Sequence, residues 1–165
     1  MNFMLQMRFH KENVAVMCDV EQTFHSFNVN PEHRDFLRFL WFRDNDPEEE
    51  ITEYRLNVHL FGKGPSTAIA TFGLRKTISH CEEDIKQFVN RHFYVDDGVV
   101  PVSTAQEALN LVRKTQLALS TRYLRLHKVV SNLPTVVEAF PAEDRSKDVK
   151  DLDLRHDTLP VQRSL

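Results

Sequence analysis

Cysteine is scarce here, with only Cys18 and Cys81 in 165 residues. Two thiols without metal-ligand spacing exclude a disulfide framework and a thiolate metal site, and they make a reducing compartment the expectation. An excess of positive charge is also missing. Twenty-one Lys and Arg stand against 24 Asp and Glu, a net charge of −3. No global basic field therefore announces nucleic acid, and such a role has to rest on local patches. No apolar run reaches membrane-spanning length. The stretch from Met1 to Arg8 is apolar but broken by Gln6 and Arg8, too short for a signal peptide or a span. Internal repeats are absent as well. The chain is expected to be soluble and intracellular, cytoplasmic or nuclear, with no membrane partner.

What is present fits one domain with a single modest core: 41% of residues are apolar and 27% charged. Phe is used twelve times against one Trp and three Tyr, and many of the Phe fall in short strand-like runs. Val14 to Asp19 has strand length and ends in an acid, and Glu21 to Phe27 suits a turn of helix. Asp35 to Arg43 looks like a strand buried on both faces, with Arg at its margins. Asp44 to Glu50 is a solvated loop, and the alternation from Thr52 to Phe61 predicts a strand paired antiparallel with the preceding one. Gly62 to Ser66 breaks that strand and opens a helix over 66–77, and a second helix is expected over 82–91. Ser103, with Gln106 three residues on, reads as a capping box for a long helix reaching about Tyr123. A strand over 126–131 and a short helix over 134–140 follow, and from Pro141 onward mixed charges predict a weakly ordered tail. This order is neither doubly wound nor a barrel. It predicts an α+β fold, an antiparallel sheet with helices packed on one face.

Within that frame Tyr94-Val95-Asp96-Asp97 is the most informative stretch. It closes the apolar run His92 to Val95 and precedes Gly98-Val99-Val100-Pro101-Val102, which predicts strand, tight turn and strand with the acids at the tip. One turn acid suffices for a hairpin, whereas two adjacent carboxylates call for a compensating cation. Asp19 ends another strand-like run. If the two strands are neighbours, three carboxylates meet at one edge of the sheet and offer the hard oxygen ligands that magnesium takes. Taken alone, Asp19 also suits a helix N-cap, and the paired acids suit a plain turn.

The same residues carry a family resemblance. Cys18-Asp19-Val20-Glu21-Gln22-Thr23-Phe24-His25-Ser26-Phe27 resembles the first palm motif of reverse transcriptases, and Tyr94-Val95-Asp96-Asp97 resembles the third. Leu60 to Ala68 stands where the second motif belongs, with Thr67 where the family has proline, and Leu124 to Asn132 stands where the fourth does. The wording, including His33 to Phe42, is similar to the BEL/Pao group of long-terminal-repeat retrotransposons, from about residue 5 to the C-terminus.

The resemblance implies a polymerase palm over 1–140, with truncated fingers and no thumb, and a tail over 141–165 leading to the missing part. It implies RNA-directed DNA polymerase chemistry: a template-primer of RNA or DNA, a deoxynucleoside triphosphate, and two Mg2+ (or Mn2+) ions held by Asp19, Asp96 and Asp97 with the Val20 carbonyl. Phe24 would block a ribose 2′-hydroxyl, Phe61 and Gly62 would pack against nucleotide and template, and Tyr94 would touch the primer end. Lys128 would be the proton donor to pyrophosphate. Arg38, Arg43, Arg75, Lys76, Arg122 and Arg125 are candidate phosphate contacts. Such a fragment is expected to be inactive alone, and a non-catalytic nucleic-acid-binding remnant or a relic without a biochemical role is the alternative.

Overall fold

The computed structural model describes residues 12–146. Its centre is a four-stranded antiparallel sheet made of β1 (Val14–Val20), β4 (Phe93–Tyr94), β5 (Asp97–Val102) and β6 (Leu126–Ser131), in the spatial order β4-β5-β1-β6. Four helices accompany it: α1 (Ser66–Thr77), α2 (Glu83–His92), α3 (Ala105–Ser120) and α4 (Pro134–Glu138). Alternation along β1 divides its two faces. Val14, Val16, Cys18 and Val20 are buried. They share one core with Leu74 of α1, Phe88 and Val89 of α2, Val112 and Leu119 of α3, and Val136 of α4. Met17 and Asp19 point to the other face, which stays partly open. The fold is therefore α+β, with helices packed on the apolar side of an antiparallel sheet. Among the described residues no helix is long and apolar enough to cross a membrane.

Local chemistry explains most boundaries. Helix α3 begins one residue later than a Ser103 cap would place it. The Thr104 hydroxyl accepts from the Glu107 N–H at 3.2 Å, so Thr104 rather than Ser103 is the cap, and Glu107 Oε2 accepts from the N–H of Ser103, one residue before it, at 3.1 Å. The turn of helix after β1 is a 3-10 turn, Thr23–Ser26. The segment from Pro141 is ordered at least to Ser146. It makes a 3-10 turn at Ala142–Asp144, and Ser146 N–H donates to the Val129 carbonyl at 3.3 Å beside β6. Arg125 secures it through Asp144 Oδ1 at 2.8 Å. The remainder of the expected tail, 147–165, and the N-terminal stretch 1–11 lie outside the described residues.

Two expectations are corrected. The run from Asp35 to Arg43 is not a strand buried on both faces. Its first part belongs to a 3-10 helix, Pro31–Leu37, and only β2 (Arg38–Phe42) is extended, with four of its five residues exposed. Nor does a strand run unbroken from Thr52 to Phe61. Strand β3 (Ile51–Arg55) pairs with β2 in a separate two-stranded ribbon, after which the chain changes partner: Val58 bridges Asn28, and Val29 N–H donates to the Asn57 carbonyl at 2.8 Å. The 3-10 helix preceding β2 removes the extended partner that a longer β3 needs.

Candidate metal centre and groove

The register of the sheet brings the predicted acids together. Asp19 on β1 lies directly opposite Asp97 on β5 and, on its other side, opposite His127 on β6. Directly opposed residues share a face. Tyr94, opposite Asp97 on the edge strand, extends the same open-face row. Asp96 sits in the turn, and its carbonyl accepts the Val20 N–H at 3.0 Å, which clamps the hairpin tip onto the end of β1.

That tip is built differently from an Asp-Gly turn. Tyr94 pairs with Asp97 and Phe93 with Gly98, so the two-residue loop is Val95-Asp96. Val95 has a φ of 60°, a left-handed conformation that a β-branched side chain rarely takes. Positive φ at the first loop residue alone is the II′ pattern, which matches the twist of the flanking strands. Gly98 is needed for room rather than for the turn. A Cβ there would lie 2.5 Å from the Phe93 ring and 3.1 Å from Cys18 Sγ.

A β-bulge shapes the other side. Met17 pairs with Val130 and Asp19 with His127, so two steps along β1 match three along β6. Within that extra step Lys128 has a φ of 49°. A bulge re-aims side chains locally, and here two consecutive residues reach one carboxylate. His127 Nε2 lies 3.0 Å from Asp19 Oδ1, and Lys128 Nζ lies 3.4 Å from Asp19 Oδ2.

The acids act on one another. Partial loss of water raises the Asp96 carboxyl pKa above its ordinary range; its own backbone amide opposes this, Asp19 adds repulsion, and Lys128 offsets part of it. Partial desolvation likewise raises Asp97, followed by repulsion from Asp96 and Asp19, again relieved in part by Lys128. Burial first, then repulsion from Asp19 and Asp97, pushes the Cys18 thiol far up, so it is an inert part of the core.

An open groove of about 360 Å³ runs beside this cluster, lined by Asp19, Val20, Phe24, Phe61, Asp96 and Lys128 together with the turn between Gln22 and His25. Phe24 is buried and meets the exposed Phe61 edge-on, with ring centroids 5.4 Å apart. The Val20 carbonyl accepts from the buried Thr23 hydroxyl at 2.7 Å. Gly62 has a φ of 83° at the bend after Phe61. Gly62, Tyr94 and Asp97 are not among the groove's walls. A larger hollow of about 540 Å³ lies against Phe39, Trp41 and Tyr54 of the ribbon and holds none of the three acids.

The donor set suits a hard divalent cation: three carboxylates, of which Asp96 and Asp97 feel their acidic neighbours, and a backbone carbonyl at the same edge. Among the described residues, however, no three His, Cys, Asp or Glu side chains form a ready-made metal cage. Both oxygens of Asp19 are engaged by His127 and Lys128. Of the six candidate phosphate contacts, Arg38 pairs with Glu53, Arg43 with Glu50, and Arg125 with Glu21 and Asp144, which leaves less positive charge for a nucleic acid. Sequence reading did not find His127. Nothing local marks it, and only the β1–β6 register reveals its partner.

Comparison with protein-family models gives no match, and none of the curated proteins matches the chain.

Proposed function

We propose that this chain is the palm of an RNA-directed DNA polymerase of the BEL/Pao retrotransposon type, working inside the cell on an RNA or DNA template-primer and a deoxynucleoside triphosphate. The observation that carries the proposal is the facing of Asp19 and Asp97 across β1 and β5, with Asp96 clamped beside them at the hairpin tip. Asp19, Asp96 and Asp97, with the Val20 carbonyl, would hold two Mg2+ or Mn2+ ions. When bound, such a pair activates a primer 3′-hydroxyl and neutralises the departing pyrophosphate.

The protein's own residues contribute position and charge. The Val20–Asp96 backbone bond fixes the tip of the hairpin relative to β1, so the acids do not have to be ordered at the moment of reaction. Phe24, packed under Phe61, forms an apolar wall in the groove where the sugar of an incoming nucleotide would lie. Tyr94, 59% exposed on the edge strand, offers a ring to the primer end. Lys128, 55% exposed at its side chain and 3.4 Å from Asp19, would turn to the leaving group and hand it a proton.

The test is nucleotide incorporation on a primed RNA template at high protein concentration with Mn2+ or Mg2+, alongside Mn2+ binding followed by the loss of the free-ion EPR signal. Metal binding abolished by Asp96→Asn supports the proposal, and incorporation lost with the same substitution makes it an active polymerase. Absence of metal binding by the unaltered chain overturns it.

A further inference from the structure

We propose that His127 is a positioning residue for Asp19, donating from Nε2 to Oδ1 and so fixing which carboxylate oxygen is presented to a divalent cation. The inference rests on the metal-centre reading above and deepens it.

The two contacts on Asp19 are of different kinds. His127 is Asp19's direct neighbour across the strands, its side chain is 13% exposed, and Nε2 lies 3.0 Å from Oδ1. Lys128 reaches Oδ2 at 3.4 Å from a side chain that is 55% exposed. An enclosed hydrogen bond outlasts a solvated ion pair, because water and salt compete for the latter. A cation entering from the groove can therefore displace the ammonium, whereas the imidazole is held in place.

The terminal torsion of an Asp side chain is broad and nearly two-fold, so an untethered carboxylate presents either oxygen. The hydrogen bond to His127 removes that freedom and leaves Oδ2 as the outward donor. A carboxylate oxygen accepts, so Nε2 carries the proton in this contact. The bulge is what permits this division of labour. In a regular strand His127 and Lys128 would point to opposite faces, and the left-handed turn at Lys128 returns its side chain to the same carboxylate.

Outer partners of metal ligands typically govern affinity by ten- to a hundredfold. The test measures Mn2+ affinity on the full chain for the unaltered protein, His127→Leu, His127→Asn, His127→Gln and Asp96→Asn, with urea melts to confirm folding. Leu cannot donate, and the Asn amide is too short to reach Oδ1. Both are expected to weaken binding by about tenfold or more. The Gln amide nitrogen stands near the place of Nε2 and is expected to restore most of the affinity, an outcome that general damage to the sheet would not give. A second readout needs no metal: with EDTA present, the 13C resonance of the Asp19 carboxyl should move in His127→Leu and His127→Asn and stay close to the native position in His127→Gln.

Native Mn2+ affinity in the folded Asn or Leu variant overturns the inference and leaves the metal-centre reading standing. Native affinity in Asp96→Asn overturns that reading instead. An Asp19 resonance indifferent to His127→Asn overturns the inference whether or not any metal binds.

Discussion

Strand β1, Val14-Ala15-Val16-Met17-Cys18-Asp19-Val20, and strand β2, Arg38-Phe39-Leu40-Trp41-Phe42, are both short apolar runs, and the second carries the larger side chains. Their fates are opposite. In β1 every second residue is nearly inaccessible, with Val16 at 0% and Val20 at 1%. In β2, Leu40 is 67% exposed and Trp41 50%. The difference lies in neighbours. Strand β1 has a hydrogen-bonded strand on each side and a layer of helices on one face, whereas among the described residues β2 pairs with β3 alone. An apolar run states a demand for cover, and only the surrounding elements decide whether it is met. The acid cluster belongs to the first region, where the register is pinned by a buried face. The ribbon is fixed mainly by local contacts, such as Phe39 stacked on Tyr54 and Trp41 Nε1 donating to Asn45 Oδ1 at 2.8 Å.

The largest test of this contrast is truncation within the two regions. Phe88 is 1% exposed in the core below β1 and meets Phe93 edge-on at 5.1 Å. Phe88→Ala should lower the unfolding free energy by about 3–5 kcal/mol in urea titrations. Leu40→Ala in β2 should change it by about 0.5 kcal/mol or less. Equal losses at the two positions would erase the distinction.

Next in size is Gly98→Ala. The added Cβ would collide with the Phe93 ring and touch Cys18 Sγ, at a cost of about 1–3 kcal/mol. If crowding is the cause, Phe93→Leu should remove much of that loss when the two changes are combined, which a double-mutant cycle measures. Gly98 also shows how the sequence misleads. Asp97-Gly98 reads as turn chemistry, yet the glycine serves the approach of an aromatic ring, and the strained loop falls on Val95, where no sequence preference would put it.

Much of the sheet region was legible, because the apolar run from Val14 to Asp19 and the β-branched run after Gly98 both have strand length and are bounded by an acid or a glycine. Strand β6 matched its expected span from Leu126 to Ser131. The facing of Asp19 and Asp97 could be posed as a condition, since strand ends were readable but pairing was not. The contact between His127 and Asp19 was not legible at all. It depends on one extra residue in β6, and a bulge leaves no periodic trace when a lysine rather than a glycine takes the left-handed position. For β2 the apolar density was read correctly and its burial wrongly, for want of any signal about neighbours.

The acids give a smaller and pH-dependent effect. Asp96 and Asp97 have carboxyls raised above the ordinary value of 3.8, so the folded chain holds protons that the unfolded chain releases. The stability they contribute is fully present below pH 3.8 and is lost as the pH rises through their folded values. In EDTA at neutral pH, Asp96→Asn should therefore be more stable than the unaltered chain, and the two should converge in acid. Under the metal-centre reading Mg2+ acts in the opposite sense: at ten times its Kd a bound ion adds about 1.4 kcal/mol to the unaltered chain alone. Thermal melts with and without Mg2+ across this pH range read both signs.

The smallest effect concerns the ribbon itself, and it probes the comparison most directly. Trp41 is the single tryptophan, so its fluorescence reports β2 alone while far-UV circular dichroism reports mainly the helices and the sheet. Elements with few buried contacts open at lower free energy than the core. The Trp41 transition is therefore expected at lower urea than the dichroism transition, with emission already near that of a half-exposed indole before unfolding begins. Leu40→Ser should leave both midpoints almost unchanged and reduce concentration-dependent light scattering, because exposed apolar strand edges promote association. Coincident transitions would mean that the ribbon is held by the core after all. In that case the exposure of Leu40 and Trp41 would say nothing about how firmly this part of the chain is held.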